Sequence, residues 1–201
     1  MGPEVQRPGG SAITGRPACH ARDLSRHRKI TYATLESKEG RTSEPRRGFP
    51  YRTIGEDDVA FADFGPIFEE YEADFGRTYV FGDDPDKHRL LADLPRVFDA
   101  GRASSRADRE ITGARLYAEV ERLAAASGWE IGIWHAGHLV GEFPHETNEG
   151  AKAESYIAPD NHTPLRRTDR AGRPCHWILE LHFVDRSKGL GGFYEQLLEL
   201  A

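Results

Sequence analysis

The sequence predicts an α+β domain in which two β-hairpins and the helices between them build one sheet with helices on one side. Two stretches alternate apolar and polar residues with the period of a strand, one around Val59–Phe81 and one from His176 to Leu200. Between them, two segments carry apolar residues at helical spacing. No tandem repeat is legible, so the order hairpin, helices, hairpin sets the class.

Residues 1–50 are rich in Gly, Pro, Ser and Arg and lack apolar periodicity. They read as an irregular or disordered basic leader, with a short strand expected within Arg28–Leu35. The folded domain is expected over 51–201. In VAFADFGPIFEEYEADFGRTYVFG, alternation gives two antiparallel strands, roughly 58–65 and 71–81, the first interrupted by Gly65-Pro66. Gly82 to Pro85 is a turn. Asp86 to Gly101 reads as a helix with Leu90, Leu91, Leu94, Val97 and Phe98 inward, weakened by Pro95. Ile111 to Ser127 is a second helix, with Leu116, Val120 and Leu123 at helical spacing and Gly128 as its stop. GWEIGIWHAGHLVGEFPHE then gives a short strand and a loop near the chemistry. Residues 147–174 are loop-rich, with a turn at Asp169–Gly172. HWILELHFVD is a strand, Arg186–Leu190 a turn, and GGFYEQLLEL the returning strand.

Composition narrows the function. The 201 residues are 38% hydrophobic and 30% charged, enough for one domain with a core. No apolar run is long enough for a membrane span. The arginine-bearing start lacks the apolar stretch of a secretory signal. Cys19 and Cys175 have no paired spacing, so neither a disulfide framework nor a thiolate zinc site is expected, and a cytoplasmic location is. Net charge is −6, which argues against nucleic acid as the main partner. The charge is uneven: residues 1–50 carry 10 Lys+Arg against 5 Asp+Glu, and the remainder 17 against 28.

Acidic residues stand where strands should be apolar. Asp63 and Asp74 each interrupt a predicted strand, and a carboxylate there is costly unless paired, hydrogen-bonded or bound to metal. A turn centred near Phe68–Glu69 makes the two face each other, and facing carboxylates need a shared proton or a cation. The plainer alternative is an aspartate capping hairpin amides. Glu180, in Ile-Leu-Glu-Leu, and Glu195, in Phe-Tyr-Glu-Gln-Leu-Leu, repeat the anomaly on two adjacent strands. His138 lies between Gly137 and Gly141, which let the backbone approach a ligand, although a lone histidine is more often structural. Four carboxylates with one imidazole suit Mn²⁺, Co²⁺, Fe²⁺ or Zn²⁺ in a paired site. Two cations roughly 3.5–4 Å apart share carboxylates and hold a hydroxide that is nucleophilic at neutral pH.

Asp63 and Asp74, with Arg77-Thr78 following, then Gly137-His138, Phe143-Pro144-His145-Glu146 and two late glutamates, resemble the pita-bread metallopeptidase family of methionine aminopeptidase, aminopeptidase P and prolidase. The resemblance runs from about Asp58 to Leu198. It implies a curved antiparallel sheet with helices on its outer face, the first repeat incomplete, and a site for two divalent metal ions. Asp63 chelates one metal, Asp74 and Glu195 bridge both, and His138 and Glu180 complete the other. Glu180 also shuttles a proton, and His145 stabilises the tetrahedral intermediate; the alternative for His145 is packing of its loop. His135 is expected to support the site or the fold. Arg166 and Arg167 are expected in a solvated turn, with a grip on a substrate carboxylate as the alternative.

The implied activity is removal of an N-terminal residue from a peptide, with a preference before proline as one form of it. A non-catalytic family relic acting as a binding module, and a creatinase-like hydrolase of a small C–N bond, are the alternatives. The chain departs from the family where Leu181-His182 follow Glu180, a place where peptidase members often have proline. Leu139-Val140 replace a pair of small residues after His138, and the stretch before Asp63 is short and unpatterned. An incomplete first repeat exposes apolar surface that a homodimer would cover.

Overall fold

Alternation sorts the side chains of the main strands onto two faces, and the helices cover one of them. The structure, a computed structural model, describes residues 30–33, 54–64, 67–68, 71–72, 74–140 and 153–199. The strands are β1 (Ile30–Ala33), β2 (Val59–Phe64), β3 (Ile67–Phe68), β4 (Tyr71–Glu72), β5 (Phe75–Val80), β6 (Glu130–Ile131), β7 (Trp177–Asp185) and β8 (Leu190–Leu198). Two helices, α1 (Pro85–Ala107) and α2 (Gly113–Ala126), lie between β5 and β6. Six strands form one sheet in the order β1-β2-β5-β8-β7-β6, and β3 pairs with β4 as a separate small hairpin.

The two expected hairpins are β2/β5 and β7/β8, both antiparallel. The strand expected within Arg28–Leu35 is β1, which runs parallel to β2. Pro95 does not end α1, which continues to Ala107, well past the expected Gly101. The helix starts firmly, with Asp84 accepting from the Asp86 and Lys87 amides and Pro85 in its first turn. Thr112 caps α2 by accepting from the Arg115 amide, and Gly128, at φ 78°, ends it as expected.

Leu90, Leu94, Val97 and Phe98 of α1 and Leu116, Val120 and Ala124 of α2 are buried with Leu179, Leu181 and Phe183 of β7. Leu91 and Leu123, also expected inward, are half-buried. Each of these large side chains contributes about 1.5–3 kcal/mol by leaving water. Gly192 of β8 lets α1 lie close, since a Cβ there would sit 2.9 Å from Leu90 Cδ2. A smaller cluster of Phe61, Val184 and Phe193 fills the opposite face. That face carries the acidic residues.

Candidate metal centre

One rung of the sheet assembles most of the acidic residues. Asp63 of β2 is opposite Gly76 of β5, Gly76 is opposite Glu195 of β8, and Glu195 is opposite Glu180 of β7. Directly opposed residues point to the same face, so three carboxylates share one side of four adjacent strands. The register corrects one expectation. Asp63 faces Gly76 and not Asp74, which lies two residues away along the strand, so the aspartates are diagonal neighbours. The β3/β4 hairpin shifts the turn that was expected to bring them opposite each other.

His138 arrives from the far side of β7. His138 and Ile178 exchange backbone hydrogen bonds of 3.2 and 2.8 Å, and the Glu180 amide donates to the Ala136 carbonyl at 3.0 Å. The segment thus acts as a further short strand. Gly137, at φ 129°, is required there, because a Cβ would lie 2.0 Å from the Ile178 carbonyl oxygen. This seats His138 Nε2 3.1 Å from Asp74 Oδ2 and 3.6 Å from Glu195 Oε1. Its Nδ1 lies 3.2 Å from the Leu139 carbonyl. An Nδ1–H donated to that carbonyl leaves the Nε2 lone pair for a cation.

One donor atom each from Asp74, His138 and Glu195 lies within 4.8 Å of the other two, a spacing able to hold a metal ion. Glu195 and Glu180 are each 2% exposed. Burial, then the charges of Glu180 and Asp74, push the Glu195 carboxyl well above the usual range, against the His138 hydrogen bond and with a further push from Asp63. Burial pulls the His138 imidazolium down, but hydrogen bonds to Asp74 and Glu195 and the charges of Glu180 and Glu195 carry it well above the ordinary value. Acceptor-rich groups crowded out of water need protons or cations between them. The donors are oxygens with one imidazole, which fits divalent metal ions of the Mn²⁺, Co²⁺, Fe²⁺ and Zn²⁺ class.

Of the expected residues, the structure gathers Asp74, His138 and Glu195 most tightly, with Glu180 and Asp63 on the same rung. His145 lies outside the described residues. His135 is fully buried, accepts from the Gly137 amide at 3.1 Å, and has Nδ1 3.7 Å from Glu180 Oε2. Arg166 and Arg167 are not in a solvated turn. Arg166 Nη1 donates to the Ser105 and Asp108 carbonyls at 2.9 Å, and Arg167 donates to the Glu154 carbonyl and lies 5.1 Å from the Trp177 ring centroid. Both guanidiniums satisfy carbonyls at the ends of neighbouring elements, work that a turn residue in water does not do.

Two contributions were not anticipated. His182 Nε2 is 2.5 Å from Glu180 Oε1, and strand alternation from Glu180 was the signal that puts both on one face. The seam between the hairpins is held by side chains. Thr78 Oγ1 donates to the Phe193 carbonyl and accepts from the Phe193 amide, each at 2.7 Å. Arg77 donates to the Gly76 and Glu195 carbonyls at 2.7 Å, bonds Gln196, and is sandwiched 3.8 Å from the Phe75 and Tyr194 ring centroids.

The sequence model of metallopeptidase family M24 matches residues 32–169. No curated protein matches the chain. Among solved structures it resembles prolidase from Pyrococcus furiosus, at 21% identity and TM-score 0.57 over 76% of this chain and 41% of that one. It resembles methionine aminopeptidase from Rickettsia prowazekii at 17% identity and TM-score 0.54, over 72% and 61% of the two chains. It also resembles the N-terminal domain of the FACT complex subunit SPT16 from chickpea, Cicer arietinum, at 13% identity and TM-score 0.53, over 78% and 37%. The chain spans about two fifths of the length of the prolidase it matches.

Proposed function

The chain belongs to metallopeptidase family M24 and has its pita-bread α+β fold, and on that premise we propose that it is a two-metal hydrolase that removes the N-terminal residue of a peptide. The observation that carries this reading is the convergence of Asp74, His138 and Glu195, one donor atom of each within 4.8 Å of the other two, beside Glu180 and Asp63. These five residues would hold the metal ions. Bound divalent cations supply Lewis acidity and a water acidified enough to act as nucleophile near neutral pH. Asp74 and Glu195, nearest His138, would be the ligands shared by the pair. Glu180 takes a proton from the attacking water and delivers it to the departing amine, which leaves as a neutral group. His145 donates a hydrogen bond to the oxygen on which negative charge develops.

The test is calorimetry with Mn²⁺ and Co²⁺ on the full chain and on Asp74→Ala, followed by mass spectrometry of a peptide panel that includes Xaa-Pro sequences. Binding by the wild type, its loss in Asp74→Ala, and metal-dependent release of N-terminal residues are expected. A metal-binding protein that leaves the whole panel intact is not an aminopeptidase. The likeness to the domain from a FACT complex subunit favours a second reading, a binding module on the same fold. Metal-dependent turnover of any peptide rules that out, whereas turnover of small C–N substrates alone marks a creatinase-like hydrolase.

A further inference from the structure

We propose that His182 is a positioning residue of this centre, which holds the Glu180 carboxylate in a fixed orientation before a cation arrives. The role rests on the two-metal reading above and extends it to a residue outside the five ligands. Period-two alternation puts Ile178, Glu180, His182 and Val184 on the acidic face of β7. His182 is 1% exposed, and its Nε2 lies 2.5 Å from Glu180 Oε1. In the ionised form that a cation requires, the Glu180 carboxylate only accepts, so Nε2–H is then the donor, in a charge-assisted bond.

The imidazole has little freedom to leave that position. Across the β7–β8 ladder it is opposite Phe193, with ring centroids 4.7 Å apart. The Phe193 ring packs 5.3 Å from Phe61 of β2 and fills the space over Gly76, where a Cβ would lie 1.9 Å from Phe193 Cε1. Thr78 fixes the Phe193 backbone, and the His182 carbonyl accepts from the Gly132 amide at 2.8 Å. A packed line thus runs from Phe61 through Phe193 and His182 to Glu180. Glu180 needs such a restraint. It has three side-chain torsions and stands directly opposite Glu195, a second buried carboxyl. Holding Oε1 sets the plane of the carboxylate, so a cation meets a ligand already ordered.

The experiment titrates Co²⁺ into the full chain, read by calorimetry and by the visible absorption of the bound ion. The variants are His182→Leu, His182→Gln and His182→Asn, with circular dichroism reporting the fold. Leucine keeps bulk and removes the donor. Glutamine can place an amide N–H near the Nε2 position, and the shorter asparagine cannot. We expect His182→Leu to weaken Co²⁺ about tenfold or more and change the absorption band. His182→Gln should recover most of the affinity and the wild-type band, and His182→Asn should not. If the leucine variant does not fold, the comparison of glutamine with asparagine decides. Wild-type affinity in His182→Leu, or equal affinities in the glutamine and asparagine variants, overturns the role of His182 alone. A wild type that binds no Co²⁺ overturns the metal-centre reading, and the role falls with it.

Discussion

Glu195 would face opposite demands in the metal-free protein and with a cation bound. Without metal it is a buried carboxyl among Glu180, Asp74 and Asp63, raised well above the usual range by burial and their charges. His138 is also raised, its loss of hydration outweighed by bonds to Asp74 and Glu195. A group whose folded pKa exceeds its unfolded one stabilises the fold fully below the unfolded value and loses that contribution as pH rises through the folded value. Both shifts have the same sign, so the melting temperature of the metal-free protein should fall from about pH 5 to about pH 9. Glu195→Gln should raise the metal-free protein's unfolding free energy at pH 8, by on the order of 1 kcal/mol, and flatten the profile, while abolishing metal binding. A metal-free melting temperature that rises with pH would sink this account of the centre. The acidic anomalies in Ile-Leu-Glu-Leu and Phe-Tyr-Glu-Gln were plain in the sequence, because a carboxylate has no reason to stand in an apolar strand. His182 was not, since a histidine in a strand has many uses.

At the scale of elements, alternation made both hairpins legible and helical spacing both helices. The helix runs through Pro95, as expected, because the missing N–H removes a single bond from a long helix whose Leu90, Leu94, Val97 and Phe98 are already anchored. The seam between the hairpins left little trace, because β5 and β8 share only the rung Gly76–Glu195 and rely on Thr78 and Arg77 elsewhere. Thr78→Val keeps the shape and leaves the buried Phe193 amide and carbonyl without their partner. We expect a loss of about 2–3 kcal/mol in urea unfolding, with weaker metal binding, since this seam holds Asp74 beside Glu195. An unchanged midpoint would show that the packed rings alone hold the hairpins together.

For the whole molecule, the main core and the candidate metal centre occupy opposite faces of one sheet. The helices bury the outer face around Leu179, Leu181 and Phe183, and the acidic rung is left to the other. Among the described residues no helix is long and apolar enough to cross a membrane. A cation that binds only the folded chain stabilises it by mass action, so Mn²⁺ at about a hundredfold over its Kd should add about 2.7 kcal/mol. For a chain of this size that is roughly 5–10 °C in scanning calorimetry, and Asp74→Ala should show no such shift. The sequence by itself determined the α+β class and the order of elements and marked the carboxylates and histidine of the candidate centre, because periodicity and misplaced charge are local properties. Only the tertiary structure decided that Asp63 faces Gly76 and that His138 reaches Asp74 across β7. Those depend on strand register and on contacts between residues as many as 64 positions apart, and neither is written in any local stretch of sequence.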